Sequence, residues 1–315
     1  MLLVYAVDPA AVALNWQTCN QLISLFGFHK GRVLNVFPRE WWGQVDQAIN
    51  KNDSLRDIER QRIKTKTRRC LEKAAIISSH SYNNARTWVE NAVSEHTKQP
   101  FDGVISTTPK ALANWLLAPD ELDEDHLALR AETEKIVLRT PIELASVVAR
   151  LLLYSRQIVF VDPHFDPYAP RYQTALKAFL NVIARANIRP TRLEYHVLAK
   201  DGKDDLDAPS FRRGCVDNAS KMIPYPPAVS FFRWREKYRG MPFPELHARY
   251  ILTNRGGMKF DGGLDSGQLG QATPVSFISP EVHKIIWDSL KRNSEVYELE
   301  PSCFRISSSG YIDEI

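Results

Sequence analysis

No apolar run in this chain approaches the ~18 residues that a membrane-spanning helix needs. The first residues, Met1 to Asp8, carry no basic segment and meet a charge early, which excludes the pattern of a secretory leader. Cysteine is scarce, at four in 315 residues. Cys19, Cys70, Cys215 and Cys303 lie far apart, which excludes a redox pair and every short metal-binding spacing. Free thiols in a reducing cytoplasm are expected, and the sequence predicts neither a metal nor another cofactor. Internal repeats and long low-complexity tracts are absent. An excess of one charge is nearly absent too. Lys and Arg number 41 against 37 Asp and Glu, for a formal charge of +4, and a balance this mild does not by itself demand nucleic acid.

What is present is the composition of a folded domain, 44% hydrophobic and 25% charged. A chain of 315 residues holds two ordinary domains. Residues 1–119 read as an α/β domain of open role. Leu2 to Val7 is a strand, and Asp8-Pro9 caps a helix expected to run to Phe26. Further helices are expected near 38–49, 54–75 and 83–98, with a returning strand at 101–106. The acidic stretch from Pro119 to Asp125 opens a linker over 120–139. A second domain then covers 140–301, and residues 302–315 read as a mobile tail.

Two features of the first half bear on partners. The helix over 54–75 carries Arg60, Lys64 and Arg68 among eight basic residues, a surface that can follow a phosphate backbone. A solvated helix face, or a surface for an acidic protein, reads equally from the same residues. The pair Trp41-Trp42 can anchor a protein partner, although one of the two is expected in the core. Asp8 and Asp102, near strand ends, read as a cap and a turn residue.

The second half carries the chemistry. Thr140, Pro141 and Glu143 form a strong helix start. Leu144, Val147, Val148, Leu151 and Leu152 then recur at helical spacing to about Tyr154. A buried strand, Gln157 to Val161, ends in Asp162-Pro163-His164-Phe165, and another amphipathic helix follows over about 172–185. Farther on, His247 and Arg249 flank one residue at the start of a strand-like run, Tyr250 to Thr253. Glycine turns follow at Gly256-Gly257 and at Gly262-Gly263, the second ending in Asp265. An imidazole, a guanidinium and a carboxylate are the groups that hold a phosphate, attack it and orient the attacking ring. Upstream, Arg233 and Arg235 alternate with Phe232 and Trp234, so on a strand the arginines share one face and the aromatics the other.

These residues resemble the phospholipase D superfamily over about 140–300, half of the chain. The signature there is His-x-Lys, four residues, Asp, some six residues, then Gly-Ser-x-Asn. His247 matches the histidine. Arg249 stands in place of lysine, Asn254 in place of aspartate, and Gly262-Gly263-Leu264-Asp265 comes one residue late in place of the last element. The divergent single-copy form, as in the phospholipase D-like C-terminal domain of MIT-domain proteins, is the most similar. The resemblance implies an α/β/α sandwich following the N-terminal α/β domain.

It also implies roles. His247 would attack phosphorus to form a phosphohistidine, Arg249 would clamp the phosphate and Asp265 would orient the imidazole. Asn254, Arg233, Arg235 and His164 are candidates for substrate contact. No second motif is found, because His29 lies in the wrong context and His283 on an expected helix. Two imidazoles would therefore require a homodimer. The expected function is a metal-independent nuclease acting on nucleic acid, in a setting such as the prokaryotic defence systems where stand-alone relatives occur. Its rival is a catalytically silent subunit that recognises nucleic acid or a protein partner. A phosphoinositide or membrane-surface binder is a third reading, without a lipidation signal to support it.

Overall fold

The computed structural model describes residues 1–108, 114–123, 125–186, 189–199, 206–224, 228–237, 247–301 and 303–315. The chain forms two compact units, Met1–Thr133 and Glu134–Ile315, each an α/β structure. No helix among the described residues is long and apolar enough to cross a membrane.

In the first unit, strands β1 (Leu3–Val7), β2 (Arg32–Asn35), β3 (Ala75–Ile76), β4 (Gly103–Ile105) and β5 (Leu116–Leu117) form one parallel sheet in the order β3-β2-β1-β4-β5. Between them come α1 (Pro9–Val12), α2 (Trp16–Ser24), α3 (Trp41–Lys51), α4 (Asp57–Ala74) and α5 (Trp88–Lys98). Side chains alternate across a strand, and the two cores follow that alternation. Tyr5, Val7, Ile105 and Leu117 enter one core. Ala6, Val104 and Leu116 enter the other. A parallel sheet covered on both faces reads as continuous apolar runs, as these short strands do.

Two expectations for this unit are corrected. The helix expected from Asp8 to Phe26 is broken, because the side chain of Asn15 accepts a hydrogen bond from Thr18 N at 2.8 Å and caps a new helix. Asparagine favours a cap over a helix interior since its amide competes for backbone groups. The linker over 120–139 is not free chain. Leu122 and Leu129 insert into the first core, and Tyr5 Oη donates to Ala128 O at 2.7 Å. From Glu134 onward the chain already belongs to the second sheet. Acidic composition marked the exposed residues there and hid the two leucines that anchor them. Trp41 is fully buried with its indole donating to Val7 O at 2.6 Å, so the core member of the tryptophan pair is the first.

The second unit contains β6 (Glu134–Leu138), α6 (Pro141–Leu153), β7 (Gln157–Val161), α7 (Pro170–Ala184), β8 (Arg192–Leu198), α8 (Ala208–Asp217), β9 (Val229–Glu236), β10 (Arg249–Thr253), β11 (Gly257–Phe260), β12 (Ala272–Phe277), α9 (Pro280–Ser289), β13 (Tyr297–Leu299), β14 (Phe304–Ile306) and β15 (Ile312–Glu314). Its sheet runs β15-β14-β9-β8-β7-β10-β11-β12-β6, with β13 also on β9. The centre, β9-β8-β7, is parallel. The strands after it pair antiparallel as a meander. Thr140 caps α6 by accepting from Glu143 N at 3.2 Å, with Pro141 in the first turn, as the sequence predicts. The expected tail is corrected. Phe304 and Ile306 alternate into the core and pair with Phe231 and Val229, so residues 304–306 are sheet and not a loose end.

A buried polar line crosses the parallel centre. Trp234 Nε1 donates to His196 Nδ1 at 2.8 Å, and His196 Nε2 lies 2.9 Å from a Glu194 oxygen that Arg192 also holds at 2.6 Å. Burial disfavours the Glu194 carboxylate, but the hydrogen bonds from His196 and Arg192 outweigh it and bring the group down to about 2 from 4.5. A carboxyl lowered by folding stabilises above its unfolded value and loses that contribution as pH falls toward the folded one. Glu194→Gln is therefore expected to destabilise the protein by up to about 3 kcal/mol at neutral pH. The gap from wild type should close between pH 4.5 and 2. Urea midpoints across that range check it, and a gap independent of pH would contradict it.

Candidate functional site

The C-terminal end of β7 is where the sequence motif meets the fold. Strand β10 lies antiparallel to β7 with Tyr250 opposite Val161. That register places Arg249 beside Asp162, the residue that follows β7. Asp162 is completely buried and accepts hydrogen bonds from Leu264 N at 2.9 Å and from His164 N at 3.0 Å. Burial raises its carboxyl above the ordinary range, the two amides and the Arg249 guanidinium lower it, and nearby Asp265 raises it further. Arg249 Nε is buried without a hydrogen-bond partner. The Arg249 guanidinium thus faces a buried carboxyl with one of its donors unused.

Asp265 occupies the same edge. Its Oδ1 meets Arg139 Nη2 at 2.5 Å and its Oδ2 meets Arg171 Nε at 3.2 Å. The turn that delivers it depends on glycine. Gly263 has φ +110, and a Cβ there would lie 2.5 Å from Asp265 Oδ1. Arg171 also sits 5.2 Å from the centre of the Tyr172 ring, and burial raises the Tyr172 hydroxyl, as do the charges of Asp162 and Asp265. Three arginines and two carboxyls thus share the end of these strands. Ligand crevices in α/β sheets lie outside the carboxyl ends of the parallel strands, where this cluster lies.

The structure brings together three predicted residues, Arg249, Asp265 and the turn holding His164. His247 is exposed two residues before Arg249. Asn254 lies at the opposite end of β10, where its side-chain oxygen accepts from Arg156 N and Gln157 N at 3.0 and 3.1 Å. It closes a turn and is remote from the cluster. Arg233 is buried beneath the sheet surface, 3.3 Å from Glu300 and donating to Leu206 O at 2.8 Å. Arg235 shares that face, as expected, and bonds the same Glu300 at 2.9 Å. Both arginines are thus engaged with one buried acid, which sequence alternation alone does not reveal.

The basic helix is also committed internally. Arg60 donates to the carbonyls of Ile49, Asn50, Asn52 and Leu55 at 2.8–3.1 Å, tying down the end of α3. Lys64 pairs with Asp46 at 2.8 Å, and the Arg68 guanidinium lies 4.9 Å from the Trp42 ring centre. Arg60→Ala is expected to cost about 2–3 kcal/mol of stability, because four carbonyls lose a charged donor. A chemical denaturation curve checks this, and an unchanged midpoint would return Arg60 to a purely surface role.

Sequence reasoning missed Arg139, Arg171 and Asp162 as parts of this cluster. Asp162 carried a signal, since it ends a buried strand next to proline. Arg139 and Arg171 carried none, because each merely flanks a helix start and meets Asp265 across long sequence separations. Comparison of the chain with protein-family models, with curated proteins and with solved structures returns no match.

Proposed function

We propose that the second unit binds phosphodiesters at the β7–β10 edge and acts as a metal-independent phosphodiesterase on nucleic acid, of the phospholipase D type, in the cytoplasm. The observation that carries this reading is the orphaned Arg249 Nε beside Asp162, two residues from the exposed His247. A guanidinium can grip phosphate oxygens bidentately. The His247 imidazole would attack phosphorus and form an N–P bond while the P–O bond to the leaving alcohol breaks. The leaving oxygen would take its proton from the same histidine of a second copy, and water would then hydrolyse the phosphohistidine and return a proton to that second ring. One motif per chain makes the homodimer the catalytic unit.

A second reading is favoured by a specific observation. Both Asp265 oxygens are engaged by arginines, so the charge assigned to orienting His247 is already spent on Arg139 and Arg171. Under that reading the domain recognises a phosphate-bearing partner without turning it over. EDTA-treated protein, assayed on single- and double-stranded DNA and RNA and sized by sedimentation, separates the two. Cleavage by a dimer supports the phosphodiesterase. Binding without cleavage by a monomer supports the silent subunit, and neither binding nor cleavage contradicts both.

A further inference from the structure

At the other end of the same parallel strands lies a cavity of about 560 Å³, a volume in the range of small-molecule sites. Arg192 begins β8 beside Gln157 at the start of β7. Asp162 lies five residues farther along β7, roughly 16 Å away at the rise of a strand. This cavity is therefore separate from the β7–β10 edge.

Its walls combine two chemistries. Ile183, Ala184, Pro190 and Leu193 supply an apolar side. One register row joins four strands, with Glu194 opposite Ser230, Ser230 opposite Arg305 and Arg305 opposite Asp313, of which the first three line the cavity. Residues paired directly across strands share a face, so the carboxylate, hydroxyl and guanidinium of that row line up together. Arg305 Nε donates to Ser230 Oγ at 3.2 Å.

The charges of that row do not cancel. The Glu194 carboxylate is already satisfied by Arg192 and His196. Arg305 and Arg189, both exposed at the rim, form no ion pair among the described residues. Asp313, across from Arg305, lies outside the cavity lining, so the guanidiniums of Arg189 and Arg305 are the charges presented to a cavity that has a partly apolar wall. Two cations match a dianion, and a phosphate monoester carries about −1.5 to −2 at neutral pH. Guanidinium forks suit its oxygens, while the aliphatic side leaves room for an organic body.

We propose that this cavity is a second binding site, for a small phosphomonoester of mononucleotide size, with Arg189 and Arg305 as the phosphate clamp and the Ser230 hydroxyl beneath them. The site does not depend on the phosphodiesterase reading, and no chemistry is assigned to it.

The test is calorimetric titration of the full chain with adenosine monophosphate and, separately, with inorganic phosphate. Wild type should bind adenosine monophosphate saturably and more tightly than inorganic phosphate. Arg305→Gln and Arg189→Gln should each weaken the nucleotide at least tenfold. Both side chains are exposed, so an unchanged far-UV spectrum is expected in either variant. Arg249→Ala removes the phosphate clamp proposed for the opposite end, and so reads whether any of the nucleotide is held there instead. The proposal is overturned by any of three results: no saturable nucleotide binding, equal affinity for nucleotide and inorganic phosphate, or binding that Arg249→Ala abolishes while the two glutamine variants retain it.

Discussion

His247→Ala is expected to lower the rate of metal-free phosphodiester cleavage by at least about 10³-fold while leaving strand binding within about threefold of wild type. The asymmetry follows from position. His247 is exposed and precedes β10, so its ring is not part of the buried core. Arg249 is the first residue of the strand and stays in place, with its guanidinium beside Asp162. Under the phosphodiesterase reading proposed above, losing the nucleophile while keeping the phosphate clamp should cost turnover and little affinity. Steady-state cleavage and binding, measured on both proteins in EDTA, read the two quantities apart. A variant that cleaves as fast as wild type would take His247 out of the mechanism. A variant that loses binding in proportion would make His247 a ligand contact and nothing more.

Asp265→Ala is expected to cost about 3–5 kcal/mol of folding stability, the largest loss foreseen for a single polar side chain here. The carboxylate is 7% exposed and bonds two arginines, one of which, Arg139, is itself largely buried. Its removal leaves the Arg139 charge without a partner in a site where Arg139 Nε already has no hydrogen bond. Part of the cost is relieved at Arg171, which is mostly exposed and regains water. Asp265→Asn keeps the shape and one acceptor, and should recover a fraction of the loss. Guanidinium chloride denaturation of the three proteins measures the series. An Asp265→Ala midpoint equal to that of wild type would mean that the arginine pair contributes nothing to the fold.

These two expectations rest on features that the sequence displayed unequally. The α/β class of both units was legible, because the buried strands are short apolar runs and Thr140 and Pro141 announce α6. The meeting of β7 with β10 was legible as far as two strands ending in polar residues. Their antiparallel register, which sets Arg249 against Asp162 and sends Asn254 to the far end, depends on the paired backbone and leaves no mark in residue spacing. Arg60, Lys64 and Arg68 show why charge runs mislead. A sequence records the charge, whereas the carbonyls of α3, Asp46 and the Trp42 ring that absorb it are assembled only by folding. Residues 304–306 show the converse, since a three-residue strand is too short for its alternation to rise above a polar neighbourhood. Arg139 and Arg171 were invisible because a salt bridge across more than ninety residues has no local signature.

The claim common to both functional readings is that Arg249 holds a phosphate. Fluorescence anisotropy of a labelled single-stranded oligonucleotide, at one fixed salt concentration, measures it most directly in wild type, Arg249→Ala and Arg235→Ala. The account predicts at least a tenfold loss of affinity in Arg249→Ala and a small change in Arg235→Ala, whose charge is already met by Glu300. Equal affinity in wild type and Arg249→Ala would contradict it.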